Sequence, residues 1–144
     1  MILEVEHLSF AYRPERPLFY DVSFAFEQGQ VLSILGANGA GKSTLLNCIA
    51  NLLLPQQGEI RLHGTPLSRL ELREISRIIG YVPQSHTPAY DYTVRDFVVM
   101  GRAPHLGTFQ QPGRADYDLV DATLEEMGLL PLANRPYTEL SGGE

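Results

Sequence analysis

Residues 36–44 read GANGAGKST and follow a short apolar run, VLSIL, at residues 31–35. The first eight residues of this stretch satisfy the pattern G-x-x-x-x-G-K-[ST], which is typical of a phosphate-binding loop between a strand and a helix. The run at 31–35 predicts a strand buried on both faces. After the loop, four apolar residues recur at helical spacing: Leu45, Leu46, Ile49 and Ala50. The sequence therefore predicts a strand, a glycine-rich loop and a helix that ends before Pro55.

The residue types within the loop suit the binding of phosphate. Glycines allow successive backbone N–H groups to turn inward around an anion, and a helix beginning near Gly41 adds the positive end of its dipole. Lys42 would reach the β and γ phosphates of a nucleotide, and Ser43 can ligate Mg²⁺. A glycine-rich turn without a ligand is the alternative. Lys42 is the only lysine among 11 basic residues, and its place in the pattern favours the nucleotide.

Length and composition limit the class of protein. A chain of 144 residues is the size of one ordinary domain and can bury a core without disulfides. Its formal charge of −6 argues against an extensive basic surface for nucleic acid. No apolar stretch approaches the roughly 18 residues of a membrane-spanning helix, and no export signal begins the chain, so a cytosolic location is expected. The single cysteine, Cys48, lies in an apolar run and is predicted to be buried.

Alternation of apolar and polar residues predicts strands on both sides of the loop and helix. Residues 2–8 and 22–26 alternate at period two, which indicates two strands, and their pairing is expected to be antiparallel. Between them RPERP, at residues 13–17, is expected to break any regular structure. Residues 58–62 are a third candidate strand, which His63-Gly64 would turn.

Three further helices are predicted downstream. Ser68 with Glu71 forms a possible capping box for a short helix, although residues 78–82 could equally start another strand. Thr93 is expected to cap a second helix that Gly101 closes. The apolar face of a third, longer helix comprises Leu119, Val120, Thr123, Leu124 and Met127.

Two further motifs accompany the loop. They are YVPQ at residues 81–84 and LSGGE at residues 140–144. In order and rough spacing, the three motifs resemble those of the ATP-binding cassette family, the ATPase subunits of ABC transporters. The resemblance implies an α/β fold, a P-loop NTPase of ABC type, with N-terminal antiparallel strands, a P-loop core and part of a helical subdomain. It implies a nucleotide-binding core at residues 1–92 and a helical subdomain at residues 93–144.

The resemblance also assigns a role to each matching position. The residues of the Walker A loop that would hold the nucleotide are Gly36, Asn38, Gly39, Ala40, Gly41, Lys42, Ser43 and Thr44. Gln84 resembles the Q-loop glutamine, which touches Mg²⁺ and the attacking water. The implied cofactors are ATP and Mg²⁺, with Lys42 and Gln84 as catalytic residues and Ser43 and Gln84 at the metal. Tyr12 resembles the aromatic residue that stacks on adenine, and simple packing at a strand end is the alternative.

The last five residues resemble the family signature LSGGQ, with Glu144 in the place of the commoner glutamine. In the family, the signature loop of one subunit completes the ATP site of a second ATPase subunit in a head-to-tail dimer. Ser141, Gly142 and Gly143 are therefore expected to act in trans. The other implied partners are transmembrane permease subunits and, indirectly, a periplasmic or surface binding protein, and no nucleic acid is expected. The implied location is cytoplasmic, on the inner face of the cell membrane.

The family's Walker B aspartate, catalytic glutamate and switch histidine all follow the signature. The sequence thus resembles the first part of such a subunit, cut at its signature motif, and is expected to be inactive alone. The four histidines all precede the signature, match no switch position and are better interpreted as surface or loop residues: His7, His63, His86 and His105.

Residues 93–96 and 100–107 are similar to the corresponding segment of importer ATPases for iron-siderophore, haem and cobalamin. This similarity implies import of a metal chelate, and molybdate-type oxyanion importers remain an alternative. Residues 85–107 lie between the Q-loop and the signature, where the family docks its permease. They are rich in Pro, Gly and His, which is typical of an exposed, irregular surface.

Functions of other classes fit the sequence less well. A soluble ABC protein acting on ribosomes or nucleic acid usually carries two cassettes or a basic extension, and this acidic sequence has neither. A binding-only module would hold nucleotide without catalysis. A GTPase or small-molecule kinase would share the phosphate loop but not LSGGE, and the guanine-reading motif Asn-Lys-x-Asp does not occur.

Overall fold

The computed structural model describes residues 1–84 and 90–141. It divides into two compact units, Met1–Tyr81 and Val82–Glu144. The first unit holds the sheet and the glycine-rich loop at residues 36–44, and the second is helical. Each unit has a buried core of its own.

An antiparallel sheet forms the framework of the first unit. Its strands are β1 (Leu3–Arg13), β2 (Arg16–Phe26), β3 (Gln57–Leu62) and β4 (Thr65–Pro66), in the spatial order β2-β1-β3-β4. The predicted antiparallel pair and the third strand are confirmed. The expectation that RPERP breaks regular structure is wrong, because both strands run into it and only residues 14–15 form the turn. Pro17 is tolerated there since β2 is an edge strand.

The residues before the loop do not form the predicted buried strand. Residues 31–35 belong to no strand, and the side chains of Val31 and Leu35 are 93% and 89% exposed. A strand requires neighbours that pair with its N–H and C=O groups, and the sheet of the first unit ends at β2 on one side and β4 on the other. Residues 78–82 also form no strand, because residue 78 is the last residue of a helix and residues 79–82 are irregular.

Two helices belong to the first unit. α1 (Lys42–Ile49) follows the loop and stops before Pro55, as predicted. α2 (Leu72–Ile78) begins later than the Ser68 capping box would require. The box is instead built one turn on, where the Glu71 N–H donates to the Glu74 carboxylate at 2.8 Å. Ser68 lies in a short 3₁₀ turn, so its predicted capping role is wrong.

The core of the first unit lies between one face of the sheet and the helices. Leu8 and Val5 of β1 are almost completely buried, and Cys48 of α1 is 1% exposed, as predicted. Burial raises the pKa of the Cys48 thiol, which keeps it protonated and unreactive. The buried members of this core are Leu3, Val5, Leu8, Phe10, Leu45, Cys48, Ile60, Leu62, Leu67 and Ile75.

A bulge interrupts β1 on both of its edges. Register shifts occur between Val5 and Leu8 against β2, and between Glu6 and Ser9 against β3. His7, at the bulge, has a φ of 52°. Gly58 of β3 passes so close that a Cβ atom on it would overlap the carbonyl oxygens of Glu6 and His7. Together with its φ of +87°, this contact restricts position 58 to glycine.

The second unit packs two helices against a returning segment. α3 (Val94–Val99) and α4 (Arg114–Glu126) were both predicted, and Thr93 caps α3 by accepting a hydrogen bond from the Asp96 N–H at 3.1 Å. Gly101 does not close α3, because the chain continues as a 3₁₀ helix over Met100–His105. The buried core of this unit comprises Val94, Val99, Val120, Leu124 and Ala133.

Two arginines tie the elements of the second unit together. Arg95 on α3 donates two hydrogen bonds to the Asp121 carboxylate of α4, at 2.7 and 3.1 Å. Arg102 of the 3₁₀ helix donates to Asp116 of α4 at 2.8 Å. The Arg102 guanidinium, with the N–H of Gly113, holds the pKa of Asp116 below its usual range. Charge-assisted hydrogen bonds thus fix α3 on α4 through Arg95, and the 3₁₀ helix on α4 through Arg102.

Candidate functional site

The glycine-rich loop is built directly onto the first turn of α1. The helix begins at Lys42, and Gly41 is its N-cap with a φ of 91°. The first helical hydrogen bond runs from the Leu45 N–H to the Gly41 carbonyl, at 2.8 Å. Backbone N–H groups before Leu45 therefore have no acceptor within the helix and point out of its N-terminus. The first turn contains no acidic residue, so the positive end of the helix is open to an anion.

Gly41 brings the loop close to the edge of the sheet. A Cβ atom at this position would lie 2.9 Å from Leu18 Cγ and 3.1 Å from Phe19 Cδ1, both on β2. At Gly39 the φ is similar, +81°, but no atom lies within 4 Å of the place that a Cβ would take. Position 41 therefore requires glycine for both its conformation and its packing, and position 39 for its conformation alone.

The side chain of Lys42 folds back over the entrance of the loop. Its Nζ donates hydrogen bonds to the carbonyl oxygens of Gly36, at 2.8 Å, and Ala37, at 2.7 Å. An ammonium group has three hydrogens to donate, and these two contacts leave one for a ligand. The positive charge thus lies at the same place as the open helix N-terminus. This arrangement suits a multiply charged phosphate chain.

Tyr12 lies beside this loop, as expected. Its hydroxyl shares a hydrogen bond of 3.2 Å with Thr44 Oγ1 of α1, and its ring meets the Phe10 ring edge-on at a centroid distance of 4.9 Å. The side chain remains 67% exposed. A concavity of ≈ 420 Å³ borders it, lined by Tyr12, Arg13, Arg16, Pro17 and Leu18. An exposed aromatic ring held at two points can offer a face to a planar ligand.

The lining of this concavity includes residues that sequence reasoning missed. Arg13 and Arg16 are partners across the β1–β2 turn, and both line the concavity, so two positive charges border it. Leu18 supports the loop through its contact with Gly41. A signal was present in RPERP, where two arginines follow Tyr12 within four residues. The prolines of that stretch indicated only a break in structure, so its two arginines were not predicted to border the site.

The predicted site residues are divided between the two units. Residues 36–44 and Tyr12 lie in the first unit, whereas Gln84 and Ser141 lie in the second and are exposed. Gly142 and Gly143, predicted to meet the phosphate of a partner's nucleotide, lie outside the described residues. Gln84 and the signature therefore remain predictions from the resemblance.

The family model for ABC transporters matches residues 19–144. The chain belongs to the ABC transporter family. The recognition made from the three motifs is confirmed, and so is the mixed α/β fold with N-terminal antiparallel strands. The loop at residues 36–44 accordingly lies within an ABC-type fold.

Known proteins similar to this ABC family member differ in the substrate that their names give. The molybdate import ATP-binding protein MolC of Haemophilus influenzae is 39% identical over 142 residues, covering 99% of this chain and 51% of its own length. A probable iron chelatin transport ATP-binding protein of Helicobacter pylori is 36% identical over 145 residues, covering 100% and 56%. A solved structure of a putative metal-chelate type ABC transporter in an inward-facing conformation superposes with a TM-score of 0.80 at 37% identity, covering 99% and 50%. The chain thus spans about half the length of the relatives it matches.

Side chains suited to a metal ion are not clustered in the described part of the chain. Within residues 1–84 and 90–141, no group of three or more His, Cys, Asp or Glu side chains could hold a metal ion. Over the same residues, no helix combines the length and apolar character needed to cross a bilayer.

Proposed function

We propose that this chain belongs to the ATP-binding and hydrolysing subunit of an ABC transporter. The observation that carries the proposal is the placement of Lys42. The only lysine of the chain lies at the start of α1, and its ammonium crosses the loop entrance with one hydrogen left for a ligand. Family membership supports the same assignment.

Each part of the loop has a role in holding the nucleotide. The free N–H groups at the start of α1 surround the phosphates, and Lys42 neutralises the β and γ groups. The Ser43 hydroxyl is a hard oxygen ligand and fits Mg²⁺, which would offset phosphate charge when bound. Tyr12 offers its exposed ring to the adenine, beside the concavity that Arg13 and Arg16 line. The loop and the start of α1 thus hold the phosphates of the nucleotide, and Tyr12 of β1 holds its base.

Substitution of Lys42 tests this function. Lys42→Ala removes a charge-assisted contact, which is worth about 1.5–3 kcal/mol, so ATP is expected to bind roughly tenfold to a hundredfold more weakly. Arg69→Ala is the matched control, because it removes one exposed positive charge from the same unit outside the loop. Titration calorimetry or a fluorescent ATP analogue gives both affinities. Equal binding by wild type and Lys42→Ala would reject the assignment.

We further propose that the subunit powers import of a metal chelate. The similarity of residues 93–96 and 100–107 to iron-siderophore, haem and cobalamin importers supports this substrate class, and so do the iron chelatin and metal-chelate relatives. The molybdate relative keeps an oxyanion as the alternative. Uptake of radiolabelled ferric siderophore and of molybdate, by cells with and without the gene, distinguishes the two substrates.

The permease would dock on residues 85–107, of which 90–107 are described. In this range the 3₁₀ helix Met100–His105 is held on α4 by the contact between Arg102 and Asp116, and Ala103 is exposed on it. Ala103→Cys is therefore expected to crosslink to a membrane subunit, with Arg69→Cys as the control on the other unit. The native Cys48 is buried and adds little background. Crosslinks to soluble proteins alone would favour a function outside transport.

A second ATPase subunit is the remaining proposed partner. In a head-to-tail dimer, Ser141 and the glycines after it would meet the phosphates bound by the other copy. Such a subunit would lie on the cytoplasmic face of the membrane, attached through its permease. Residues 1–144 produced alone are expected to bind ATP without turning it over, because the group that orients water follows the signature in the family. Steady Mg²⁺-dependent phosphate release by that polypeptide would contradict this expectation.

A further inference from the structure

The pairing of β1 with β3 stops short of the residue that precedes Tyr12. The ladder between these strands ends at Ser9 and Gln57. Two residues further along β1, the backbone of Ala11 has no strand residue opposite it on this side. The side chain of Gln56 fills the position. Its Oε1 accepts from the Ala11 N–H at 2.7 Å, and its Nε2 donates to the Ala11 carbonyl at 2.6 Å.

Gln56 thereby imitates one more residue of β3. A carboxamide carries the same donor and acceptor as a peptide group, so it can replace a strand residue in the ladder. The backbone of Gln56 is fixed as well, because its N–H donates to the Ser9 carbonyl at 3.1 Å. Both polar groups of the Ala11 backbone point toward Gln56, so the residue opposite Ala11 on β2, Pro17, takes no part in their hydrogen bonds. The hydrogen bonds of the Ala11 backbone therefore depend on Gln56.

Tyr12 follows Ala11 directly, and its ring borders the concavity beside the loop. Ring direction depends on the backbone to which the side chain is attached. The Tyr12 hydroxyl reaches Thr44 over 3.2 Å, so a small movement of the β1 end would break this contact. We propose that Gln56 is a positioning residue for the nucleotide base, acting through Tyr12. This inference rests on the proposed nucleotide-binding function, and Gln56 itself touches no part of the ligand.

Nucleotide and phosphate affinities separate this role from a general structural one. Gln56→Leu keeps a side chain of similar size and removes both hydrogen bonds to Ala11. ATP is expected to bind about threefold to fivefold more weakly, no more than after Tyr12→Ala, which removes an aromatic contact. Inorganic tripolyphosphate, which has no base, is expected to bind with unchanged affinity. Gln57→Leu is the matched control, since Gln57 is the exposed neighbour in β3, and this variant is expected to bind ATP like wild type.

A double-mutant cycle completes the test. In the Tyr12→Ala background, Gln56→Leu is expected to cause no further loss of ATP affinity. If urea denaturation shows that Gln56→Leu is unfolded, Gln56→Glu takes its place in the cycle. This variant keeps the acceptor for the Ala11 N–H. Additive losses, or equal losses for ATP and tripolyphosphate, would overturn the inference. Normal ATP binding by Lys42→Ala would instead overturn the nucleotide-binding function on which the inference rests. Failure of the inference and failure of that function therefore give different results.

Discussion

Alanine at position 41 should destabilise the protein more than alanine at position 39. Both glycines have a left-handed backbone, with φ of +91° and +81°. Placing an L-residue there costs roughly 1–2 kcal/mol. Only position 41 also has neighbours, because the new Cβ would lie 2.9 Å from Leu18 Cγ. Overpacking of this kind costs about 1–3 kcal/mol, so we expect a loss of roughly 1–2 kcal/mol for Gly39→Ala and roughly 2–5 kcal/mol for Gly41→Ala.

Comparison of the two variants isolates the packing term. Replacing glycine by alanine also reduces the freedom of the unfolded chain, but this effect is common to both positions and cancels in the difference. Urea denaturation gives the free energy of unfolding of each variant. The excess loss for Gly41→Ala should then shrink when Leu18→Ala is added, because the overlapping Cγ is removed.

Two results would refute this reasoning. Equal destabilisation by Gly39→Ala and Gly41→Ala would mean that position 41 is not tightly packed against β2. If Gly41→Ala lowers the free energy of unfolding by as much in the Leu18→Ala background as in the wild type, Leu18 is not the side chain that the new Cβ overlaps. The same variants can be titrated with ATP, and Gly41→Ala is expected to bind it more weakly because the loop must shift away from β2.

Three other contacts give measurable expectations. Asp21 accepts a hydrogen bond from His7 at 2.6 Å and raises the pKa of His7 above its usual 6.5. The contact therefore stabilises the folded protein fully below pH 6.5, and this stabilisation is lost as pH rises through the raised pKa of His7. Asp21→Asn should remove that pH dependence from urea midpoints measured between about pH 6 and 8. Arg95→Lys should lower the free energy of unfolding by at most about 1 kcal/mol, because a partly exposed bidentate pair with Asp121 becomes a single contact. Thr93→Ala should cost about 1 kcal/mol by removing the cap of α3, and Thr93→Ser should restore it; unchanged unfolding curves would contradict either prediction.

Local signals in the sequence predicted the helix after the loop and the cap of α3, but not every element of the first unit. The loop, α1 and the cap at Thr93 follow from residue types that act within a few positions of each other. The position of Tyr12 beside the loop, 32 positions before Thr44, was implied only by the family resemblance. The predicted strand at residues 31–35 failed because apolar character indicates burial but supplies no pairing partner. The start of α2 was shifted because Glu71 and Glu74 build the capping box that was expected at Ser68.

Contacts between distant segments were beyond sequence reasoning. Ala11 and Gln56 are 45 positions apart, and nothing in the local pattern of either residue indicates that a side chain would extend a ladder there. The turn within RPERP was missed for a related reason. Proline discourages a central strand but is permitted at an edge, and only the strand order shows that β2 is an edge.

Gly58 of β3, which lies against the bulge of β1, has a consequence for the end of β1 that precedes Tyr12. If position 58 carried a side chain, β3 could not pair with the bulged part of β1 and would have to slide along it. A slide of one residue reverses the face on which every side chain of a strand lies. Gln56 would then no longer reach Ala11, and its hold on the strand end before Tyr12 would be lost. A residue with no side chain thus sets the alignment on which the presentation of an aromatic ring to the nucleotide site depends.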